Sequence, residues 1–320
     1  MNPPTPDQIK AAHKRITPYI HRTPVLSSEA INDIIGTRLF FKCENFQKAG
    51  AFKSRGACNA VFSLGEKQLA RGVCTHSSGN HAQALARAAR LRNAKAFIVM
   101  PETSPAVKVA GVKGYGGSIT FCKPTLAARE ETLLKIMEEY GALEIHPYNN
   151  YTIMCGQATA AVEMIEETGP LDIIMAPVGG GGLLSGTALA ANYFSKGTKV
   201  IAGEPEMAND AYRSFHSGTF IPSENPRTIA DGLLTSLGSL TFPVIMDHVD
   251  DIVTCSEEGI VKAMRLIWER MKIIIEPSSA VPLGCIMEGK VDVQGKNVGI
   301  VLSGGNVDMD RLPWGVKMEE

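Results

Sequence analysis

Short apolar runs alternate with amphipathic stretches along most of the chain, and this alternation is the strongest constraint on its fold. The runs that read as strands are RLFFKCE (38–44), GVCTHSS (72–78), AKAFIVM (94–100), GSITFC (117–122), DIIMAPV (172–178), KVIAGE (199–204) and NVGIVLSGG (297–305). Helices are predicted from about Ser54 to Leu64, over 80–92, around 125–140 and over 183–194. Apolar strands that alternate with helices are typical of parallel βαβ units with right-handed crossovers, so the predicted class is α/β with open sheets.

The same units suggest a division of the chain. Residues 68–148 carry three βα units and are predicted to form a small domain, inserted in a large domain made of residues 1–67 and 149–320. No repeat, low-complexity tract or Gly/Ser linker marks the boundary. Ligands of such sheets bind beyond the carboxyl ends of the strands, so the residues that follow strands are the candidate site.

Composition narrows the kind of partner. The 320 residues carry a formal net charge of −1 and no basic block, which disfavours a nucleic-acid surface. No run of about 18 apolar residues predicts a membrane span, and the N-terminal residues lack an apolar signal core, so we expect a cytoplasmic protein. The seven cysteines form no CxxC pair, which predicts free thiols, most of them buried.

The segment GAFKSRGA (50–57) places Lys53 between a phenylalanine and the start of a predicted helix. Burial there would disfavour the ammonium form and lower the pKa of the lysine, which helps an amine to form a Schiff base. An ordinary exposed lysine at a helix start explains the same residues.

Four consecutive glycines (179–182) separate a predicted strand from a helix. Their N–H groups can converge on an oxyanion at the positive end of that helix, which favours a phosphate site. The loop is not a Walker motif, because Leu183 and Leu184 follow it, and it lacks the third glycine of a dinucleotide-binding motif. The alternative is a tight turn, for which two glycines would suffice.

Two loops at predicted strand ends carry small polar side chains. SSGNH (77–81) offers hydroxyls, an amide and N–H groups to a carboxylate, although the same residues could cap the following helix. SGGN (303–306) places the Ser303 hydroxyl where it could bind a ring nitrogen, although a simple turn also explains Ser-Gly-Gly.

The segment EPEMAND (204–210) follows another predicted strand. Its acids Glu204 and Asp210, with a carbonyl between them, would give hard oxygen ligands for Mg²⁺, Mn²⁺ or Ca²⁺. Two solvated acids in a loop are the simpler interpretation. The seven histidines offer no ligand set, and neither HExxH nor Gly-x-Ser-x-Gly is present, which disfavours metalloproteases and serine hydrolases.

A sheltered lysine, a glycine cradle, a serine for a ring nitrogen and a carboxylate-binding loop are what a phosphorylated pyridine aldehyde and an amino acid require. Here the chain resembles the fold-type II pyridoxal-phosphate enzymes, which share the fold of tryptophan synthase β, and within them most closely the serine racemases of the serine/threonine dehydratase family. The matching motifs are TPVL (23–26), FFKCENFQKAGAFKSRGA (40–57), SSGNHAQAL (77–85), GYGG (114–117), GGGGLLSG (179–186), TIADG (228–232), WERMK (268–272), IEP (275–277) and SGGNVD (303–308). The resemblance implies two open, twisted, mostly parallel sheets flanked by helices.

The resemblance also implies roles for matching residues. Lys53 would carry the cofactor and act as a base on one face of the α-carbon of the substrate. The residues that would bind the cofactor are Phe52, Lys53, Asn80, Gly179, Gly180, Gly181, Gly182 and Ser303. The residues that would contact the substrate are Ser77, Ser78, Asn80, His81, Arg129 and Thr235. The ligands of a divalent cation would be Glu204, Ala208 through its carbonyl, and Asp210.

Ser78 is the most informative of these residues for the reaction. Racemisation needs one acid–base group on each face of the α-carbon, and Ser78 resembles the serine that serves the second face in serine racemases. Typical threonine dehydratases tend to carry alanine there. Elimination of water needs only the first proton removal, so the resemblance implies a serine racemase that also dehydrates serine to pyruvate and ammonia. An L-threo-3-hydroxyaspartate or serine/threonine dehydratase is the alternative.

Two hypotheses lie outside this class. A nicotinamide-dependent dehydrogenase is disfavoured by the missing third glycine, and a silent amino-acid-binding protein is disfavoured because Lys53 is intact. The resemblance further implies a homodimer. It also raises ATP as a candidate effector, because eukaryotic members can be tuned by nucleotide at the subunit interface.

Overall fold

The computed structural model describes residues 2–104 and 106–314. The strands in this part of the chain are β1 (Val25–Leu26), β2 (Arg38–Cys43), β3 (Val73–His76), β4 (Ala96–Pro101), β5 (Ser118–Cys122), β6 (Leu143–Glu144), β7 (Ile173–Pro177), β8 (Lys199–Pro205), β9 (Asp251–Cys255) and β10 (Asn297–Leu302). The helices are α1 (Pro6–Ile16), α2 (Glu29–Ile35), α3 (Lys53–Phe62), α4 (Glu66–Leu69), α5 (Asn80–Leu91), α6 (Ala106–Gly114), α7 (Leu126–Tyr140), α8 (Tyr151–Thr168), α9 (Gly182–Phe194), α10 (Asp210–Ser217), α11 (Thr241–His248), α12 (Glu257–Met271) and α13 (Pro277–Met287). Each predicted apolar run overlaps a strand, and no bound differs by more than three residues.

The strands form two sheets. The larger has the order β1-β2-β10-β7-β8-β9, and all its pairs are parallel except the pair of β1 with β2. The smaller has the order β5-β4-β3-β6 and is parallel throughout. Helices connect and flank both sheets, which confirms the α/β class with two mostly parallel sheets.

The strands of the smaller sheet all lie between residues 73 and 144, within the segment 68–148. The strands of the larger sheet lie on either side of that segment in the sequence. The domain boundaries after residues 67 and 148 stay a prediction.

The central strands of the larger sheet are buried, as continuous apolar runs require. Every residue of β7 is buried, and β10 is buried after its first residue. Helices α8 and α9 pack together so closely that a Cβ on Gly186 would lie 2.7 Å from the nitrogen of Ala158. This packing holds α9, and with it the glycine loop, firmly beside the sheet.

The cysteine prediction is confirmed, because all seven cysteines are free and buried. Among the described residues, no helix is both long and apolar enough to cross a membrane.

Candidate active site

Lys53 is the first residue of α3, and its side chain is half-buried. Its Nζ donates a hydrogen bond of 2.8 Å to the carbonyl oxygen of Pro147. Burial lowers the pKa of Lys53 to about 8, and the nearby charge of Glu276 offsets only part of this effect. The amine therefore loses its proton more readily than an exposed lysine, as a nucleophile or a base requires.

The glycine loop lies between β7 and α9. Gly181 has a φ of 86°, a conformation that favours glycine, and a Cβ on Gly180 would overlap the ring of Tyr148. The hydroxyl of Thr241 supports the loop by donating a hydrogen bond of 2.9 Å to the carbonyl oxygen of Gly180. In the described part of the chain, the N–H groups of Gly179, Gly180 and Gly181 have no acceptor. Unpaired donors beside a helix N-terminus fit a bound phosphate.

Lys53 and the glycine loop meet at the segment between β6 and α8. Pro147 accepts the hydrogen bond from Lys53, and the next residue, Tyr148, packs its side chain against Gly180 and Gly182. The amine and the glycine loop therefore each contact one of two consecutive residues, Pro147 and Tyr148. This is the arrangement that a cofactor with an aldehyde and a phosphate tail needs.

Asn80 is the first residue of α5, and both the nitrogen and the oxygen of its side-chain amide form hydrogen bonds. Its Nδ2 donates to the two carboxylate oxygens of Glu276 at 3.0 Å, and its Oδ1 accepts from Asn306 at 2.9 Å. Nδ2 carries two N–H groups, and the binding of a ring hydroxyl by Asn80 stays a prediction. Burial, with the charge of Asp231, raises the pKa of Glu276 to about 7.

Ser303 and Phe52 lie beside Lys53. Ser303 follows β10 and is 2% exposed, and its hydroxyl lies 3.1 Å from the hydroxyl of Ser279. The carbonyl oxygen of Ser303 accepts from the N–H of Phe52 at 3.0 Å. The Phe52 ring lies 5.1 Å from the amine of Lys53. A buried hydroxyl held by another hydroxyl is a suitable partner for a ring nitrogen.

The loop between β3 and α5 does not cap the helix. Gly79 occupies the N-cap position, and no side chain binds the free N–H groups of the first turn. Ser77 accepts a hydrogen bond of 3.4 Å from the N–H of Gly79. Ser78 is half-exposed, and its hydroxyl makes no hydrogen bond with a described residue. The capping interpretation is therefore wrong, and both hydroxyls lie at the carboxyl end of β3.

Two imidazoles lie close enough to Lys53 for its charge to affect their pKa values. Burial and the charge of Lys53 lower the pKa of His81 to about 3, while its Nε2 donates to the carbonyl oxygen of Ile145 at 2.8 Å. His81 Nδ1 is buried and has no described partner. Burial, His76 and Lys53 lower the pKa of His146 to about 4. These rings offer hydrogen bonds without adding positive charge.

Arg129 lies near His76, and Thr235 lies near Tyr148. Arg129 lies in α7, where its charge contributes to the lowered pKa of His76 and its buried Nε has no partner among the described residues. Thr235 is exposed, and its side chain interacts with the hydroxyl of Tyr148. Both positions are compatible with contact to a substrate.

Glu204, Ala208 and Asp210 lie together at the end of β8 and the start of α10. Both oxygens of Glu204 accept backbone N–H groups, from Ala211 at 2.9 Å and Tyr212 at 2.7 Å. Burial and the charge of Asp210 raise the pKa of Glu204 well above its ordinary value. Asp210 is 1% exposed, and neither carboxylate oxygen has a described hydrogen-bond partner, although Ser223 and Leu237 are near enough to lower its pKa.

The unpaired oxygens of Asp210 fit a divalent cation, because a buried carboxylate needs a positive partner. Burial raises the pKa of Asp210 to about 6, and the charge of Arg213 offsets part of this effect. No group of three or more His, Cys, Asp or Glu side chains is arranged for a metal ion in the described ranges. A site of two carboxylates and the Ala208 carbonyl stays a prediction.

The sequence interpretation missed several residues that shape the site. The motif IEP (275–277) and the loop SGGN (303–306) contain Glu276 and Asn306, but no local pattern indicates that they hold Asn80. Pro147 and Tyr148 follow a strand of only two residues, which gives no apolar run to signal its carboxyl end. These contacts become visible only in three dimensions.

The chain is similar to known proteins over nearly its whole length. A family model described as pyridoxal-phosphate dependent enzyme matches residues 16–304. The beta-hydroxyaspartate dehydratase of Paracoccus denitrificans is 50% identical over 311 residues, which cover 97% of this chain and 99% of the relative. The serine racemase of Dictyostelium discoideum is 51% identical over 311 residues, which cover 95% of this chain and 95% of the relative. The structure of maize serine racemase is 45% identical with a TM-score of 0.93, and the match covers 95% of this chain and 94% of that one.

These similarities extend over nearly the whole chain. The chain therefore belongs to the family of pyridoxal-phosphate dependent enzymes.

Proposed function

We propose that this protein is a serine racemase that also dehydrates serine to pyruvate and ammonia. The observation that carries the proposal is the pair of Lys53, a sheltered amine with a lowered pKa, and Ser78, a hydroxyl left without a described partner. Relatives about half identical to this chain are serine racemases, which supports the same reaction.

The residues of the site fit the cofactor part by part. Lys53 would attach it, Gly179 to Gly182 would bind its phosphate, Asn80 its ring hydroxyl and Ser303 its ring nitrogen. Phe52 would pack beside the ring. When bound, pyridoxal phosphate supplies an electron sink for the α-carbon of an amino acid.

The protein side chains move the protons. The amine of Lys53 would take the α-proton on one face, which its lowered pKa favours. Ser78 would deliver its own proton to the opposite face, which inverts the configuration of the α-carbon, while Lys53 keeps the proton that it removed. Ser77, Asn80 and His81 would orient the substrate carboxylate, since their loop offers hydroxyl, amide and N–H groups near the start of α5.

A divalent cation, a homodimer and an ATP effector complete the proposal. The cation would bind Glu204, Asp210 and the carbonyl of Ala208, which is supported by the unpaired oxygens of Asp210. Mg²⁺, Mn²⁺ and Ca²⁺ share the preference for oxygen ligands. The dimer, the ATP effector and a cytoplasmic location are supported by the resemblance and by composition alone.

A dehydratase for L-threo-3-hydroxyaspartate is the second candidate. Such a substrate has a second carboxylate, and Arg129 offers a cation whose buried Nε has no described partner. A relative from Paracoccus denitrificans, 50% identical to this chain, is a beta-hydroxyaspartate dehydratase. Rates with serine and with hydroxyaspartate, in the native enzyme and in Arg129→Gln, distinguish the two candidates.

The proposed racemase is tested with Ser78→Ala. We expect racemisation of serine to fall by about 10²-fold or more, since one of the two proton-transfer groups is lost. Release of ammonia from at least one serine enantiomer should persist, because Lys53 still serves one face. Chiral chromatography of serine and a coupled ammonia assay measure the two activities in one sample.

Two results would contradict the two-base proposal. Equal loss of racemisation and elimination in Ser78→Ala would show that Ser78 has no face-specific role. A native enzyme that dehydrates hydroxyaspartate but leaves the configuration of serine unchanged would favour the second candidate.

A further inference from the structure

A buried network of ion pairs includes Arg55, two residues after Lys53 in α3, and the proposed function gives this network no role. Its four charged side chains are at most 1% exposed and comprise Lys42, Glu44, Arg55 and Glu163. Two positive and two negative charges balance. Burying such a network requires desolvation of every charge, and apolar side chains of similar volume are often equally stable in its place. Stability alone therefore gives no reason for it.

Arg55 has a single allowed orientation because each of its five N–H groups has its own acceptor. Nε and Nη2 donate to the oxygens of Glu44 at 2.7 and 2.8 Å. Nη1 and Nη2 donate to the oxygens of Glu163 at 2.8 and 2.7 Å, and Nη1 also donates to Thr159 Oγ1 at 3.0 Å. Two bidentate carboxylates thus fix the plane of the guanidinium group.

The network holds the helix that carries Lys53. Lys53 and Arg55 lie in the first turn of α3, which has no side-chain N-cap. Residues two apart on an α-helix point about 200° apart, so Arg55 points into the interior when Lys53 faces the site. Glu44 directly follows β2 and Glu163 lies on α8. One side chain therefore ties the start of α3 to a strand and to a second helix.

The second helix, α8, also lies close to the segment that binds the amine of Lys53. Helices α3 and α8 approach so closely that a Cβ on Gly156 would lie 2.6 Å from the Cα of Gly56. Helix α8 begins four residues after Pro147, whose carbonyl oxygen accepts the hydrogen bond from Lys53. Arg55 thus joins α3, which carries the amine of Lys53, to α8, which follows the hydrogen-bond acceptor Pro147.

We propose that Arg55, held by Glu44 and Glu163, is a positioning residue that fixes the amine of Lys53 in the site. The inference rests on the proposed attachment of the cofactor at Lys53. Arg55→Lys keeps the positive charge but cannot replace five directed donors. The first turn of α3 would then loosen, and water would reach the amine.

The test measures how fast pyridoxal phosphate attaches to Lys53 after cofactor removal, as a function of pH. Borohydride reduction and mass spectrometry identify the labelled residue. Only the unprotonated amine attacks an aldehyde, so the midpoint of the rate profile reports the pKa of Lys53. For the native chain we expect a midpoint near 8, set by burial against the charge of Glu276, with His81 and His146 neutral.

In Arg55→Lys we expect the midpoint to move up toward the ordinary value of 10.5. The attachment rate at neutral pH should fall about tenfold to hundredfold, the usual effect of a small misplacement of a reacting group. Thr159→Val removes one acceptor of Arg55 with little change of shape. It should shift the midpoint in the same direction by less, and it provides the test if Arg55→Lys does not fold.

Arg22→Lys is the matched control. It alters an ion pair at 2.9 Å between Arg22, which precedes β1, and Glu166, which lies on α8 like Glu163, but both side chains are about half exposed. Its rate profile should equal that of the native chain. If Arg55→Lys and Thr159→Val unfold at lower temperature yet keep the native rate and midpoint, the network is only structural and the inference is wrong. If the native chain attaches no cofactor at Lys53, the proposed function is wrong as well.

Discussion

At the scale of single residues, the least satisfied charge among the proposed site residues belongs to Asp210. Its carboxylate is buried, its pKa is raised to about 6, and its oxygens have no described partner. The sequence reveals two acids in EPEMAND, but not that both are buried, because burial depends on how α10 packs beside β8. The sequence pattern of a buried carboxylate pair is therefore the same here as that of a solvated loop.

A cation at this position should stabilise the protein. A ligand present at a hundred times its Kd adds about 2.7 kcal/mol to the free energy of unfolding. We expect Mg²⁺ to raise the unfolding temperature of the native, chelator-treated protein, and Asp210→Asn to lose most of that increase. Glu206→Gln is the control, because Glu206 lies exposed in the same loop. An equal response to Mg²⁺ in Asp210→Asn would place the cation elsewhere.

At the scale of elements, the sequence predicted what depends on local pattern and missed what does not. The buried run DIIMAPV (172–178), for example, predicted both ends of β7 to within one residue. Strands β1 and β6 have two residues each, too few for a pattern. Helix α8 is buried along most of its length, so its apolar residues show no amphipathic periodicity. Its extent follows from packing against α3 and α9, which no local window reports.

The glycine loop is an element whose shape depends on one close contact. Gly180→Ala adds a methyl group that overlaps the ring of Tyr148, and such overpacking costs about 1–3 kcal/mol. We expect the Kd for pyridoxal phosphate to rise about tenfold or more, as measured by absorbance titration. Gly114→Ala is the control, because a Cβ there meets nothing within 4 Å. Unchanged affinity in Gly180→Ala would mean that the loop does not bind the cofactor.

At the scale of the whole molecule, polar contacts between residues far apart in sequence join the smaller sheet region to the larger one. Asn80 at the start of α5 binds Glu276, which lies 196 residues further along the chain, and Lys108 of α6 pairs with Asp231. Asn80 was predicted from the sequence as a cofactor ligand, but its partner was not, because the separation is too long for any local pattern. The relative position of the two regions is thus fixed by contacts that only the complete fold creates.

Glu276 makes this junction sensitive to pH. Its pKa is raised by burial and by Asp231 to about 7, against an ordinary value of 4.5, so the folded protein keeps a proton that the unfolded chain releases. Between pH 4.5 and 7 the folded state therefore binds more protons, and stability falls as pH rises. The loss amounts to about 3 kcal/mol, from 1.36 kcal/mol per pKa unit. We expect that Glu276→Gln does not lose this part of its stability as pH rises.

Urea denaturation of the cofactor-free protein at pH 5 and pH 8 measures this difference. The native protein should lose stability relative to Glu276→Gln on going to pH 8, because Gln carries no charge to bury while its amide can still engage Asn80. Glu258→Gln provides the control, since Glu258 is exposed and its pKa is lowered by Lys262. Parallel changes in the native protein and in Glu276→Gln would mean that the carboxylate is not the group responsible, and that the junction between the two sheets does not depend on its proton.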